Sequence, residues 1–121
     1  MKVLVAYDGT LQSKEALRYG LRSVKENGGE VIALQMFNPN LFIDYDGSLG
    51  AIETARRESA RSLEEARALL KQEGSEVRTS VFAGEGDPED EIIRFAGERN
   101  VDVLLCPPRY KSIIRRFGKI A

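Results

Sequence analysis

The stretch Lys2-Val3-Leu4-Val5-Ala6-Tyr7-Asp8-Gly9-Thr10 decides the fold. From Val3 to Ala6 the apolar residues are continuous rather than alternating with polar ones. A strand reads this way when both of its faces are buried, and such strands belong to parallel sheets covered by helices. Asp8-Gly9-Thr10 then turns the chain and places Thr10 to cap a helix. Beyond it, Ala16, Leu17, Gly20, Leu21 and Val24 recur on one face at helical spacing, and Gly28-Gly29 stops the helix.

The same alternation continues down the chain. Val31 to Phe37 is a second apolar strand, ended by Asn38-Pro39-Asn40. Leu41 to Gly50 is irregular and more apolar than a solvated linker, with Leu41, Phe42, Ile43 and Tyr45. Asp44, Asp46 and Gly47 lack the further ligands and the closing glutamate of a calcium loop. Ile52 to Glu73 reads as a long helix with Ala55, Leu63, Ala66, Leu69 and Leu70 as its buried stripe and a charged outer face. Val77 to Ala83 alternates, with Val77, Thr79 and Val81 on one side and Arg78, Ser80 and Phe82 on the other, as an edge strand does. After Gly84-Glu85-Gly86, Asp87-Pro88 opens a helix whose first turn is acidic and whose inner side is Ile92, Ile93 and Ala96. Val101 to Cys106 is the fourth strand, stopped by Pro107-Pro108, and Lys111 to Phe117 has the pattern of a short helix. Four strands alternating with four helices predict one domain, residues 1–121, of the α/β class. Its sheet is open and mainly parallel, with helices on both faces.

Composition narrows the chemistry. The chain has 121 residues, a net charge of −1, no histidine and one cysteine. Without histidine there is no imidazole base, no Ser–His or Cys–His pair and no histidine metal site. A lone cysteine forms no internal disulfide, and Cys106 in its apolar run reads as a small buried hydrophobe. No apolar run approaches a membrane span, and the short N-terminus before Asp8 has no signal-peptide pattern. The expected compartment is the cytoplasm.

Ligands of an open parallel sheet sit beyond the C-terminal ends of its strands, where strand order reverses. Those ends are Tyr7-Asp8-Gly9-Thr10, Met36-Phe37-Asn38, Ala83-Gly84-Glu85-Gly86 and Cys106-Pro107-Pro108-Arg109. The Asp-Gly-Thr setting of Asp8 favours a turn and cap role ahead of direct ligand contact. No Walker-type or Gly-x-Gly-x-x-Gly fingerprint is present. The tail gathers Arg109, Lys111, Arg115, Arg116 and Lys119 without an acid, so with −1 overall the remaining residues carry −6. The basic segment is short and has only Tyr110 and Phe117 as aromatics, so a nucleic-acid or anionic-membrane role ranks below a solvated helix face.

Taken in order, these segments resemble the universal stress protein family over nearly the whole chain. The opening Val-Leu-Val-Ala-Tyr-Asp-Gly-Thr followed by Ser13-Lys14-Glu15-Ala16-Leu17 carries the resemblance. So do Gly84-Glu85-Gly86-Asp87-Pro88, Ile92-Ile93 and Val101-Asp102-Val103-Leu104-Leu105. It implies an adenine nucleotide alpha hydrolase-like, Rossmann-like sheet in which the family order 3-2-1-4-5 becomes 3-2-1-4 here. The fifth strand that family members add, often at a dimer interface, has no counterpart before Ala121. Some members bind ATP. By resemblance the nucleotide-site candidates are Asp8, Met36, Cys106, Arg109, Gly118 and Lys119.

The phosphate loop departs from the family pattern. Pro107 replaces its first glycine and Tyr110 its second. Gly118 matches the last one at a shortened spacing, and Lys119 stands where Ser or Thr is usual. Proline has no N–H to offer a phosphate, and tyrosine adds bulk where backbone should approach. The expectation is therefore a cytoplasmic signalling or interaction domain of the stress response, without catalysis, cofactor or metal. A homodimer or another protein partner is expected to cover the open fourth strand. The alternative is an ATP- or adenine-nucleotide-binding member with weak or no hydrolysis, its lost backbone donors replaced by Arg109, Lys111 and Lys119.

Overall fold

The computed structural model describes residues 1–38 and 49–107. Within them the order is β1 (Lys2–Ala6), α1 (Leu11–Asn27), β2 (Glu30–Phe37), α2 (Leu49–Glu73), β3 (Arg78–Glu85), α3 (Pro88–Glu98) and β4 (Val103–Leu105). The four described strands form one sheet in the order β3-β2-β1-β4, and every pairing is parallel. The expected α/β class and the order 3-2-1-4 are both present. The irregular loop after Asn38 and the short helix expected from Lys111 lie outside the described residues.

The central strand is β1. Val3 lies opposite Val31 of β2 and Val103 of β4, and Leu4 lies opposite Ile32 and Leu104. Val3, Leu4, Val5 and Ala6 are all buried. Val3, Val5 and Tyr7 face the layer of α1 and α2, where they meet Leu17, Leu21, Val24, Ala66, Leu69 and Leu70. Leu4 and Ala6 face α3, with Ile92, Ala96 and Leu104 around them. An unbroken apolar run is what a strand with two covered faces needs. Gly20 lets α1 lie close to the sheet, since a Cβ there would stand 3.2 Å from Val3 Cγ1.

The edge strand β3 behaves as its alternation implied. Val77 and Val81 pack toward α1 and α2, and Phe82 toward α3. Phe82 meets Phe95 edge to face at 5.3 Å between ring centres, and the Arg99 guanidinium lies 4.4 Å from the centre of each ring. The strand runs past Ala83 to Glu85 because β2 continues to Phe37, which pairs with Glu85. The fourth strand is shorter than Val101–Cys106. Val101 N–H is spent on Ala96 O at the end of α3, so the ladder proper starts at Val103.

Helix ends follow local chemistry. Thr10 caps α1, its Oγ accepting from Ser13 N–H at 3.2 Å. Asp87 caps α3 by accepting from Glu89 N–H and Asp90 N–H, with Pro88 in the first turn. The acids Glu89, Asp90 and Glu91 then sit at the positive end of the helix dipole. Across the sheet, Lys2 N–H donates to Asp102 Oδ2 at 2.8 Å and Asp102 N–H donates to Lys2 O at 3.0 Å.

Leu4→Ala should lower unfolding stability by about 3 kcal/mol in urea titration, since its side chain is fully enclosed. Leu11→Ala, at a position 70% exposed, should stay within about 0.5 kcal/mol of the parent. Equal costs at the two positions would contradict the burial described.

Candidate functional site

The turn after β1 is held by a closed set of hydrogen bonds. Asp8 Oδ1 accepts from Thr10 N–H at 3.0 Å and from the Thr10 hydroxyl. Ser13 Oγ donates to Thr10 O at 2.9 Å and accepts from Asp8 N–H at 3.4 Å. Ser13 is wholly buried by this arrangement. Asp8 thus serves the turn, as its Asp-Gly-Thr setting implied, and one of its oxygens is committed to Thr10. Gly9 sits at φ +81°, and a Cβ there would lie 2.5 Å from Ser62 Oγ of α2. The turn and the second helix therefore touch through a position that only glycine fits.

Asp8 opens onto a crevice of about 240 Å³ beyond the strand ends. Met36 and Asn38 from the end of β2, Glu58 and Ser62 from α2, and Pro88 from α3 line it with Asp8. The structure thus brings Asp8 and Met36 together. Cys106 packs against the α3 side of the core. Burial pushes its thiol up to about 12, so it stays protonated at neutral pH. Arg109, Gly118 and Lys119 lie outside the described residues. Among the described residues, no group of three or more Cys, Asp or Glu side chains is placed to hold a metal ion.

The sequence reading assigned no role of their own to two polar side chains on this face of the sheet. Gln35 interrupts the apolar run of β2 and is buried. Its Nε2 donates to Ser59 O and Ser59 Oγ, both at 2.9 Å, while Oε1 accepts no hydrogen bond among the described residues. Tyr7, on the same face of the neighbouring strand, is buried with its hydroxyl unpaired in the same sense. Burial raises the Tyr7 pKa to about 12, with smaller contributions from the charges of Glu65 and Asp8. The signal for Gln35 was a single polar residue inside an otherwise unbroken strand.

Comparison with known proteins agrees with this architecture. The model of the Universal stress protein family matches residues 1–121. A universal stress protein of Methanocaldococcus jannaschii is 26% identical over 125 residues, spanning 99% of this chain and 72% of that protein. The structure of universal stress protein UspA from Lactobacillus plantarum superposes with a TM-score of 0.81 at 14% identity, covering 100% of this chain and 95% of the other. A family protein from Arabidopsis thaliana with AMP bound gives 0.69 at 18% identity, covering 100% and 89%. The chain belongs to the universal stress protein family.

The buried tyrosine supplies a test. Its folded pKa exceeds the unfolded value near 10, so the contribution is intact below pH 10 and declines as pH rises toward about 12. Tyr7→Phe removes an unpaired hydroxyl and should raise stability by about 1 kcal/mol at neutral pH. The same variant should lose stability less steeply than the parent in denaturation series between pH 10 and 12. A destabilised Phe variant would mean that the hydroxyl has a partner.

Proposed function

We propose that this universal stress protein is a non-catalytic signalling or interaction domain of the stress response, working in the cytoplasm without holding ATP in the family's usual geometry. Pro107 is the observation that carries this reading. It follows β4 and is buried, and by the family resemblance it replaces the first glycine of the phosphate loop, whose backbone N–H proline lacks. The crevice supports the same conclusion. Asp8 and Glu58 line it, and its described lining includes no lysine or arginine, so a triphosphate would meet like charge. The lack of histidine also removes the most common general acid–base group from the chain.

A second reading is an adenine-nucleotide-binding member with weak or no hydrolysis. It is favoured by the meeting of Asp8 and Met36 in one crevice and by the AMP carried by the Arabidopsis relative. In that reading Arg109 and Lys119 supply charge where the family uses backbone donors, and Gly118 is the surviving close-approach position.

The domain is further proposed to pair with a second copy. Among the described residues, β4 is bonded only to β1, and its other edge offers unpaired backbone groups.

Isothermal titration with Mg-ATP should give no saturable heat up to roughly 1 mM. Protein denatured after purification should release no nucleotide on chromatography. Clean micromolar binding would reverse the order of the two readings. Sedimentation should show a dimer, and a monomer at high protein concentration would refute the pairing.

A further inference from the structure

The second helix is packed unevenly. Its C-terminal half buries Ala66, Leu69 and Leu70 in the core. From Gly50 to Glu65 no residue is buried. Beneath this part, the Gln35–Ser59 hydrogen bonds stand between two concavities, both of which Gln35 and Ser59 line. One is the crevice of Asp8 and Met36. The other, of about 280 Å³, opens on the opposite side of this bridge, toward the edge strand β3.

The walls of this second concavity are mostly apolar. Phe37, Ala60, Leu63 and Ala83 line it. Its described lining holds a single cation, Arg56, and a single acid, Glu85. The guanidinium of Arg56 lies 4.9 Å from the centre of the Phe37 ring and is ion-paired with Glu85. Both charged side chains are about half exposed, at 50% and 53%. An ion pair this wet contributes little stability, so a second carboxylate can take Glu85's place without a large penalty. The planar guanidinium fork can donate two parallel hydrogen bonds to a carboxylate, and the aromatic ring beside it holds it in place.

We propose that this concavity is a binding site for a small aromatic monocarboxylate. The ring packs between α2 and β3 against Leu63, Ala83 and Phe37. The carboxylate replaces Glu85 as the partner of Arg56. A polyanion is disfavoured because Glu85 remains at the mouth once displaced, and a neutral ring forgoes the guanidinium. This site shares Gln35, Phe37 and Ser59 with the Asp8–Met36 crevice but differs in charge, since Arg56 and Glu85 line only this one and Asp8 and Glu58 only the other.

The test is a titration of the full chain with 2-naphthoate, followed by amide chemical shifts. The amides of Leu63, Ala83, Gly84 and Glu85 should move in a saturable way, with dissociation constants in the range of about 0.1–5 mM expected for a fragment of this size. 2-Naphthamide should bind about fivefold or more weakly, as should 2-naphthoate to Arg56→Gln. Glu85→Gln, which removes the internal competitor, should bind 2-naphthoate roughly two- to fivefold more tightly. Equal affinity for acid and amide, or a loss of affinity in Glu85→Gln, would overturn the proposal. So would shifts centred on Asp8 and Met36, or no saturable shift at about 10 mM ligand.

Discussion

Everything in this domain depends on the burial of β1 on both faces and along both edges. The strand pairs with β2 on one side and β4 on the other, and its side chains alternate between two separate clusters. Helices must therefore cover both faces, and each crossover must return the chain parallel to where it started. The N-terminal strand is the centre, not the margin, of the sheet. The turn that follows it is consequently fixed from several directions. Tyr7 N–H bonds across to Leu34 O, Ser13 supports Asp8 from below, and Ser62 of α2 presses on Gly9.

The sequence made this scaffold legible because burial leaves a periodicity. The unbroken run from Val3 to Ala6 announced a doubly covered strand, and the alternation from Val77 to Phe82 announced an edge. Strand order came from the family resemblance, since periodicity does not encode it. The crevice was only half legible. Asp8 and Met36 lie at strand ends, where a parallel sheet exposes its ligand side. Glu58 read instead as part of the charged outer face of its helix, and Ser59 and Ser62 carried no reading. Periodicity tells which way a helical residue points, but not how far its helix stands from the sheet. From Gly50 to Glu65 the helix α2 leaves no residue buried, so residues on its lower face line open space.

That open space also explains why polar groups persist in this part of the core. Gln35 and Tyr7 occupy positions that an apolar side chain would fill at less cost, since a buried donor or acceptor without a partner is unfavourable. Gln35 lies beneath the half of the helix that packs least, bonded to Ser59, and Tyr7 is next to it on the same face of the sheet. The sequence compensates elsewhere in the same layer, where Leu17, Leu21, Leu69 and Leu70 close against Val3 and Val31. The second helix thus seals the core through its C-terminal half, while its earlier turns overhang the strand ends where α/β sheets bind their ligands.

The hydrogen bonds between Lys2 and Asp102 join residues separated by 100 positions. Ribosomes extend the chain at roughly 5–20 residues per second, so about 5–20 s pass between synthesis of the two ends of this tie. During that interval the nascent chain holds the central strand of the described sheet with one flank incomplete. The first native pairing available to β1 is with β2, a much nearer neighbour in sequence. Folding from β1 and β2 outward, with β4 docking last, follows the order of contact distances. The Lys2–Asp102 tie thus marks a flank of β1 that stays open until the last described strand has been made.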